Sequence, residues 1–290
     1  MCRRTHWADS LGSGGEPRID LQATWTIRAG KSLIMSSALA DILNAAAHGH
    51  FPAPDGGTTV VPQPNHRDAG VIAFTAHSVV FTDEDPLWVR GVLAALDCDA
   101  LAATMNPGFL SALLGRTGRS MDTIDLLTVA SPLAGAPPLR LTELLEADHP
   151  RAGRARHRRD SIRVWAADGG VIVLGQGVAG RWEASIEVDE GLRHQGLGRS
   201  LALAARHLVP DRQPVWSQQA AGNARSVRAF QAAGFRAVGA EALLLPGRRA
   251  AGSPTDPVGG HGPVAQQHGI GVDRIGAGGP RSRTAFWTSS

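Results

Sequence analysis

The chain has 290 residues, of which 43% are apolar and 19% charged, with a formal net charge of +3. That length holds one large domain or two small ones, with enough apolar residues for a core, and the charge is too small to argue for nucleic acid by itself. No apolar run approaches the ~20 residues of a membrane span, no signal-peptide core follows Arg3 and Arg4, and Cys2 and Cys98 alone make neither a disulfide framework nor a cysteine zinc site.

The expected setting is therefore the cytoplasm. The richness in Ala, Gly and Arg, with Lys31 the only lysine and no tyrosine at all, points to a GC-rich coding sequence and a bacterial source. Residues 1–34 carry no periodicity and include Gly12-Ser13-Gly14-Gly15. Met35 then opens a helix-like run with Leu39, Ile42 and Leu43, which makes it a candidate translation start. Residues 1–60 are read as a flexible extension, and 52–70 as a linker rich in Pro, Gly and Asn.

Val71–Phe81 is expected to be a strand, ended by the turn residues Asp83-Glu84-Asp85-Pro86. Val89, Val92, Leu93 and Leu96 share one face at helical spacing. Asn106-Pro107 supplies an N-cap and first-turn pair for a second helix carrying Leu110, Leu113 and Leu114. Ile124–Ala130 reads as a buried strand and Pro132–Pro138 as a second linker. Residues 61–138 thus form an N-terminal β-α-α-β element without a chemical motif.

Residues 139–246 are more informative. Leu141–Ala147 and the arginine-rich 151–159 look helical, and three strands follow: Ile162–Ala167, Val171–Leu174 and Trp182–Val188. Asp168-Gly169 marks a tight hairpin, and Gly175–Gly180 a looser turn. Leu197, Leu201 and Leu208 stripe a helix closed by Pro210. Val215–Gln218 is a short strand, Asn223–Ala233 a helix ended by Gly234, and Phe235–Leu245 a last strand. The order describes a mixed sheet with helices on its faces. From 247 to 290 the chain is Gly/Pro-rich and unpatterned, and is expected to be a disordered tail.

The sharpest local feature runs from Val188 to Gly198, out of a strand and into a helix. A glycine-containing turn at a helix N-terminus offers unpaired N–H groups and the positive end of the helix dipole, which together suit a phosphate. This stretch resembles the acetyl-CoA pyrophosphate loop of the GNAT (GCN5-related) N-acetyltransferases, Q/R-x-x-G-x-G/A, with Arg193, Gly196 and Gly198 in the defining places. About thirty residues on, Asn223-Ala224-Arg225-Ser226 with Phe230 and Gly234-Phe235 resembles that family's second motif. The resemblance covers roughly 140–246. It implies an α/β (α+β) fold of GNAT type, a mixed, mostly antiparallel twisted sheet flanked by helices, here with an N-terminal extension.

The resemblance further implies acetyl-CoA as co-substrate and a small-molecule or peptide amine as acceptor. The loop amides of Arg193, His194, Gln195, Gly196, Leu197, Gly198 and Arg199 would hold the pyrophosphate. Backbone groups from Ile186 to Val188 would pair with the pantetheine arm. Asn223 and Ser226 would touch the cofactor, their alternative role being to cap the helix. Phe230 stands where many members carry a tyrosine that protonates the leaving thiolate, so a catalytically weak or inactive acyl-CoA-binding module is the alternative function.

Acyl transfer to an amine needs a base. Along 182–188, Glu183, Ser185 and Glu187 alternate onto one face, so Glu183 and Glu187 are the base candidates, expected to line a wet cleft; a solvated edge charge, or pairing with an arginine such as Arg181, is the competing role of either. His48-Gly49-His50 lacks a third ligand, and no metal is expected. The arginines of 151–159 lack interleaved aromatics, so the expectation is a solvated helix face rather than a nucleic-acid site. Cys98, between Asp97 and Asp99, is a poor nucleophile. A sheet edge near 235–245 is expected to be available for pairing with a second copy.

Overall fold

The computed structural model describes residues 37–145 and 149–247. The N-terminal stretch with its candidate start at Met35, and nearly all of the tail after 246, lie outside the described residues. Helix α1 (Ala38–Ala47) starts at Ser37, whose hydroxyl accepts from the Ala40 N–H at 3.2 Å. Strands β1 (Thr58–Val61), β2 (Ala69–Phe74) and β3 (His77–Phe81) follow. Asp85 and Asn106 cap α2 (Pro86–Ala94) and α3 (Pro107–Thr117), each with proline at the first helical position. Strand β4 (Ile124–Ala130) has the bounds its apolar run suggests.

The second half contributes β5 (Thr142–Leu144), α4 (Pro150–Arg156), β6 (Asp160–Ala167), β7 (Gly170–Gln176), β8 (Trp182–Val188), α5 (Leu197–Leu208), β9 (Val215–Ala220), α6 (Ala224–Ala232) and β10 (Arg236–Leu244). The ten strands of the described residues join one sheet in the order β1-β3-β2-β10-β4-β9-β8-β7-β6-β5. Only β1–β3 and β8–β9 run parallel. This mixed, mostly antiparallel sheet flanked by helices is the fold class that the resemblance implied.

Two layers of helix enclose the sheet. On one face α5 and α6 pack Leu201, Ala205 and Phe230 against Trp182, Ala184 and Val215. Further along that face α2 and α3 bury Val89, Phe109 and Leu113 on Val71 and Ala242. On the opposite face α1 covers Leu127, Val129 and Trp216 with Leu39 and Leu43, while Ala152 and Ala155 of α4 sit on Val164 and Val173. No helix among the described residues is long and apolar enough to cross a membrane.

Several expectations change. The strand expected over Val71–Phe81 is a hairpin, β2–β3, turning at Thr75-Ala76, where Ala76 takes φ 55° without the glycine or asparagine that marks such turns. The linker 52–70 contains β1, paired with β3. The helix expected at Leu141–Ala147 is replaced over 142–144 by strand β5. Backbone pairing to β6 and the Glu143–Arg163 ion pair (2.8 Å) outweigh a local helical preference there. The boundary drawn at 138/139 does not divide the sheet, because β10 pairs with β2 on one side and β4 on the other. For the same reason the expected free edge near 235–245 is an interior strand. The outer strands are β1 and β5.

Candidate active site

The site grows from a split in the sheet. Strands β8 and β9 pair only at Trp182↔Val215 and Glu183↔Trp216. Beyond that point β8 stays paired with β7 as far as Val188, while β9 follows β4 as far as Ala220, so the two strands diverge. A wedge of unpaired backbone opens between them, and the N-termini of α5 and α6 stand at its wide end. A strand edge inside a sheet is a template for a ligand that offers amide groups of its own.

The loop at the head of α5 has a backbone that can offer N–H groups to an anion. His194 and Gly196 take φ 70° and 85°, which turns successive N–H groups toward one side. Among the described residues, no hydrogen bond runs from the backbone N–H groups of 194–199, and the first one in the helix is Ser200 N–H to the Gly196 carbonyl (3.2 Å). Gly196 has open space where a Cβ would project. At Gly198 a Cβ would meet Ala229 and Val188 at 3.7 Å, so β8, α5 and α6 converge on it. Arg193 and Arg199 are exposed beside the loop. The loop residues named from the sequence are therefore together at the open end, with Ile186 and Val188 on the unpaired edge next to them.

The other two cofactor candidates are less free. Asn223 caps α6, its side-chain oxygen accepting from the Ser226 N–H at 3.1 Å, so the capping alternative is realised in the structure. Phe230 is buried, and its ring meets Phe235 edge-on at 4.9 Å. It faces core, with no hydroxyl to offer the wedge.

The base candidates have the orientation expected of them but not the surroundings. Glu183 is 4% exposed and lies among charges instead of lining open water. Arg159 Nε donates to it at 2.9 Å and Arg181 Nε at 2.8 Å, and the Val178 N–H donates at 3.3 Å. Burial alone would raise its pKa, but Arg181 and Arg159 outweigh burial and hold it below the usual carboxylate range. Glu187, half-buried at the rim, is gripped by Arg151 (2.9 Å) and Arg154 (3.2 Å), and is held low against the effect of burial.

These pairings also correct the reading of the arginine run. Arg151, Arg154 and Arg159 point at β8, and Arg158 binds Asp122, so the run is largely an inward clamp rather than a solvated face.

The clamp needs room. A Cβ at Gly177 would lie 2.2 Å from the Glu183 carboxyl carbon, and that carboxylate is held in place by Arg159 and Arg181. Gly177→Ala is therefore expected to lower stability by about 1–3 kcal/mol, the usual cost of overpacking. Thermal unfolding checks this; an unchanged midpoint would mean that the Glu183 cluster yields easily.

Sequence reasoning missed the acids opposite Glu183. Asp125, in the middle of the apolar strand β4, is 6% exposed, and Glu241, its cross-strand partner on β10, is 2% exposed. Arg181 Nη2 donates to Glu241 at 2.8 Å, as does Gln218 Nε2 at 3.2 Å. A lone carboxylate in an otherwise buried strand was the available signal.

No protein-family profile matches the chain, and no curated protein does either. Among solved structures it is similar to a GCN5-related N-acetyltransferase from Kribbella flavida, at 14% identity and a TM-score of 0.35, over 76% of this chain and 99% of that one. A GCN5-related N-acetyltransferase from Sphaerobacter thermophilus gives 15% identity and a TM-score of 0.30, over 48% of this chain and 57% of that one. A tandem GNAT protein from the clavulanic acid biosynthesis pathway, solved without AcCoA, gives 13% identity and 0.29, over 48% and 58%. The motifs of the sequence resemble this same family.

Proposed function

We propose that the protein is an acetyl-CoA-dependent N-acetyltransferase, in which a primary amine attacks the thioester directly. The observation that carries this reading is the run of unbonded N–H groups over 194–199 at the wide end of the β8–β9 wedge. Those amides and the α5 dipole suit the CoA pyrophosphate, and the unpaired backbone of Ile186 to Val188 suits the amide groups of pantetheine. Ser226, one turn before Phe230 on α6, and Asn223 at its cap stand beside the same opening. Bound there, acetyl-CoA supplies the activated acyl group. The chain supplies the placement of two reactants side by side, the main rate contribution expected of such a site. Glu187 at the rim remains the more accessible of the two glutamates, while Glu183 serves to hold Arg159 and Arg181.

The test is titration of the full chain with acetyl-CoA by calorimetry. Micromolar affinity is expected, falling at least tenfold in Gly198→Trp, where an indole fills the point at which β8, α5 and α6 converge. An absence of binding up to millimolar cofactor would overturn the reading. A second reading, an acyl-CoA-binding module without turnover, is favoured by Phe230 and the absence of tyrosine. It predicts the same affinities with no CoA thiol released in the presence of amines.

A further inference from the structure

Where β8 and β9 part, Asp125, Arg158, Arg159, Val178, Glu183, Gln218, Glu241 and Leu243 enclose a cavity of about 20 Å³. That is room for one water-sized group. Three buried oxygens of this lining have no hydrogen-bond partner among the described residues: Asp125 Oδ1, Gln218 Oε1 and Glu241 Oε1. The Gln218 oxygen is the free atom of its amide because its nitrogen donates to Glu241. A fourth orphan, Arg181 Nη1, belongs to a side chain that lines a separate groove under α1, not this cavity.

The charges around the cavity do not cancel. Arg158 is committed to Asp122 at 2.6 Å. Once Asp125 is ionised, Arg159 and Arg181 stand among Asp125, Glu183 and Glu241, two cations against three acids. Buried charge of this kind is costly unless it is matched. The set then lacks one positive charge, and the unsatisfied atoms that line the cavity are all acceptors. A group with one positive charge and three N–H donors, an ammonium, meets both deficits at once.

We infer that this cavity is a monocation subsite that takes the ammonium head of the acceptor amine, with Asp125 as the group that removes its proton. The assignment to an acceptor rests on the acyl-transfer reading; the cation site does not. In the reaction, R–NH3⁺ gives one proton to the Asp125 carboxylate and becomes R–NH2. The nitrogen lone pair forms the C–N bond at the thioester carbonyl as the C–S bond breaks. The second N–H proton balances the departing thiolate as CoA–SH, and Asp125 returns its proton to solvent. Burial first, then the Glu241 charge, lift the Asp125 carboxyl to about 7, in the range suited to a base at neutral pH. The arginine-held Glu183 and Glu187 are shifted the other way.

Thermal unfolding of the full chain tests the site with ammonium chloride and tetramethylammonium chloride at equal ionic strength. At pH 8 ammonium is expected to raise the midpoint and tetramethylammonium, which has no N–H, is not. The difference should shrink at pH 5, where Asp125 is protonated, and disappear in Asp125→Asn and Glu241→Gln, each of which removes the surplus negative charge. Equal midpoints for the two salts in the native protein, or a difference that survives both substitutions, would overturn the site.

Acetyl-CoA affinity, measured separately, is expected to be unchanged in Asp125→Asn. An ammonium response without acetyl-CoA binding sinks the acyl-transfer reading and leaves the cation site. Acetyl-CoA binding without an ammonium response sinks this inference alone. With any amine that is turned over, kcat/KM should rise through pH ~7, and that limb should vanish in Asp125→Asn.

Discussion

Replacing Arg181 with methionine is expected to remove about 3–5 kcal/mol of stability, a large share of the roughly 5–15 kcal/mol that holds a domain folded. The guanidinium is 7% exposed, stacks over Trp216 at 5.2 Å, and donates to Glu183 and Glu241 at 2.8 Å each. Removing it leaves Glu241 in the interior of the sheet without a cation and Glu183 with Arg159 alone, and the cost is theirs rather than the loss of attraction itself. The double variant Arg181→Met, Glu241→Gln, which keeps the Arg159–Glu183 pair and leaves no carboxylate without a cation, should therefore recover most of the loss. Urea denaturation of the single and double variants reads both effects. A single variant within about 1 kcal/mol of the native protein would place the cluster in a solvent-like environment, as for surface pairs.

Asp125→Asn should act in the opposite direction and only at higher pH. A carboxyl near 7 in the folded chain and near the ordinary ~3.9 in the unfolded chain gives stability that is complete below pH ~4. That stability is lost as pH rises toward 7, because the unfolded state ionises while the folded state keeps its proton. An asparagine loses nothing over this window. The variant should match the native protein at pH 4 and exceed it by on the order of 4 kcal/mol at pH 8. Urea midpoints at three pH values check this, and a gap that does not widen with pH would mean that Asp125 ionises normally. Glu183 and Glu187 push the native profile the other way as pH falls, which is why the difference between variants is the quantity to read.

How much of this was legible follows from where each signal lies along the chain. Trp182–Val188, Ile124–Ala130 and the run into α5 could be read directly, because apolar pattern, caps and glycines are local. The hairpin at Thr75-Ala76 was hidden because alanine occupies a left-handed position usually marked by glycine or asparagine. Alternation placed Glu183 and Glu187 on one face correctly. It could not say what covers that face, since the arginines that seize Glu183 come from residue 159, 24 positions earlier, as well as from Arg181 nearby. Asp125 and Glu241 meet only because β4 and β10 are neighbours, a pairing set by tertiary structure that no local window contains.

The position of β10 has a bearing on how the chain is made. Strands β2 and β4 do not touch; each is joined to the other only through residues 236–244. During synthesis at roughly 5–20 residues per second, β4 leaves the ribosome on the order of ten seconds before β10 does. Throughout that interval both neighbours present unsatisfied backbone edges, and every contact that β10 makes with them closes a loop of more than a hundred residues. The nascent chain is thus a candidate for chaperone binding until β10 arrives. Ribosome-bound chains stopped short of residue 236 should be protease-sensitive at β2 and β4, the strands whose facing edges await β10.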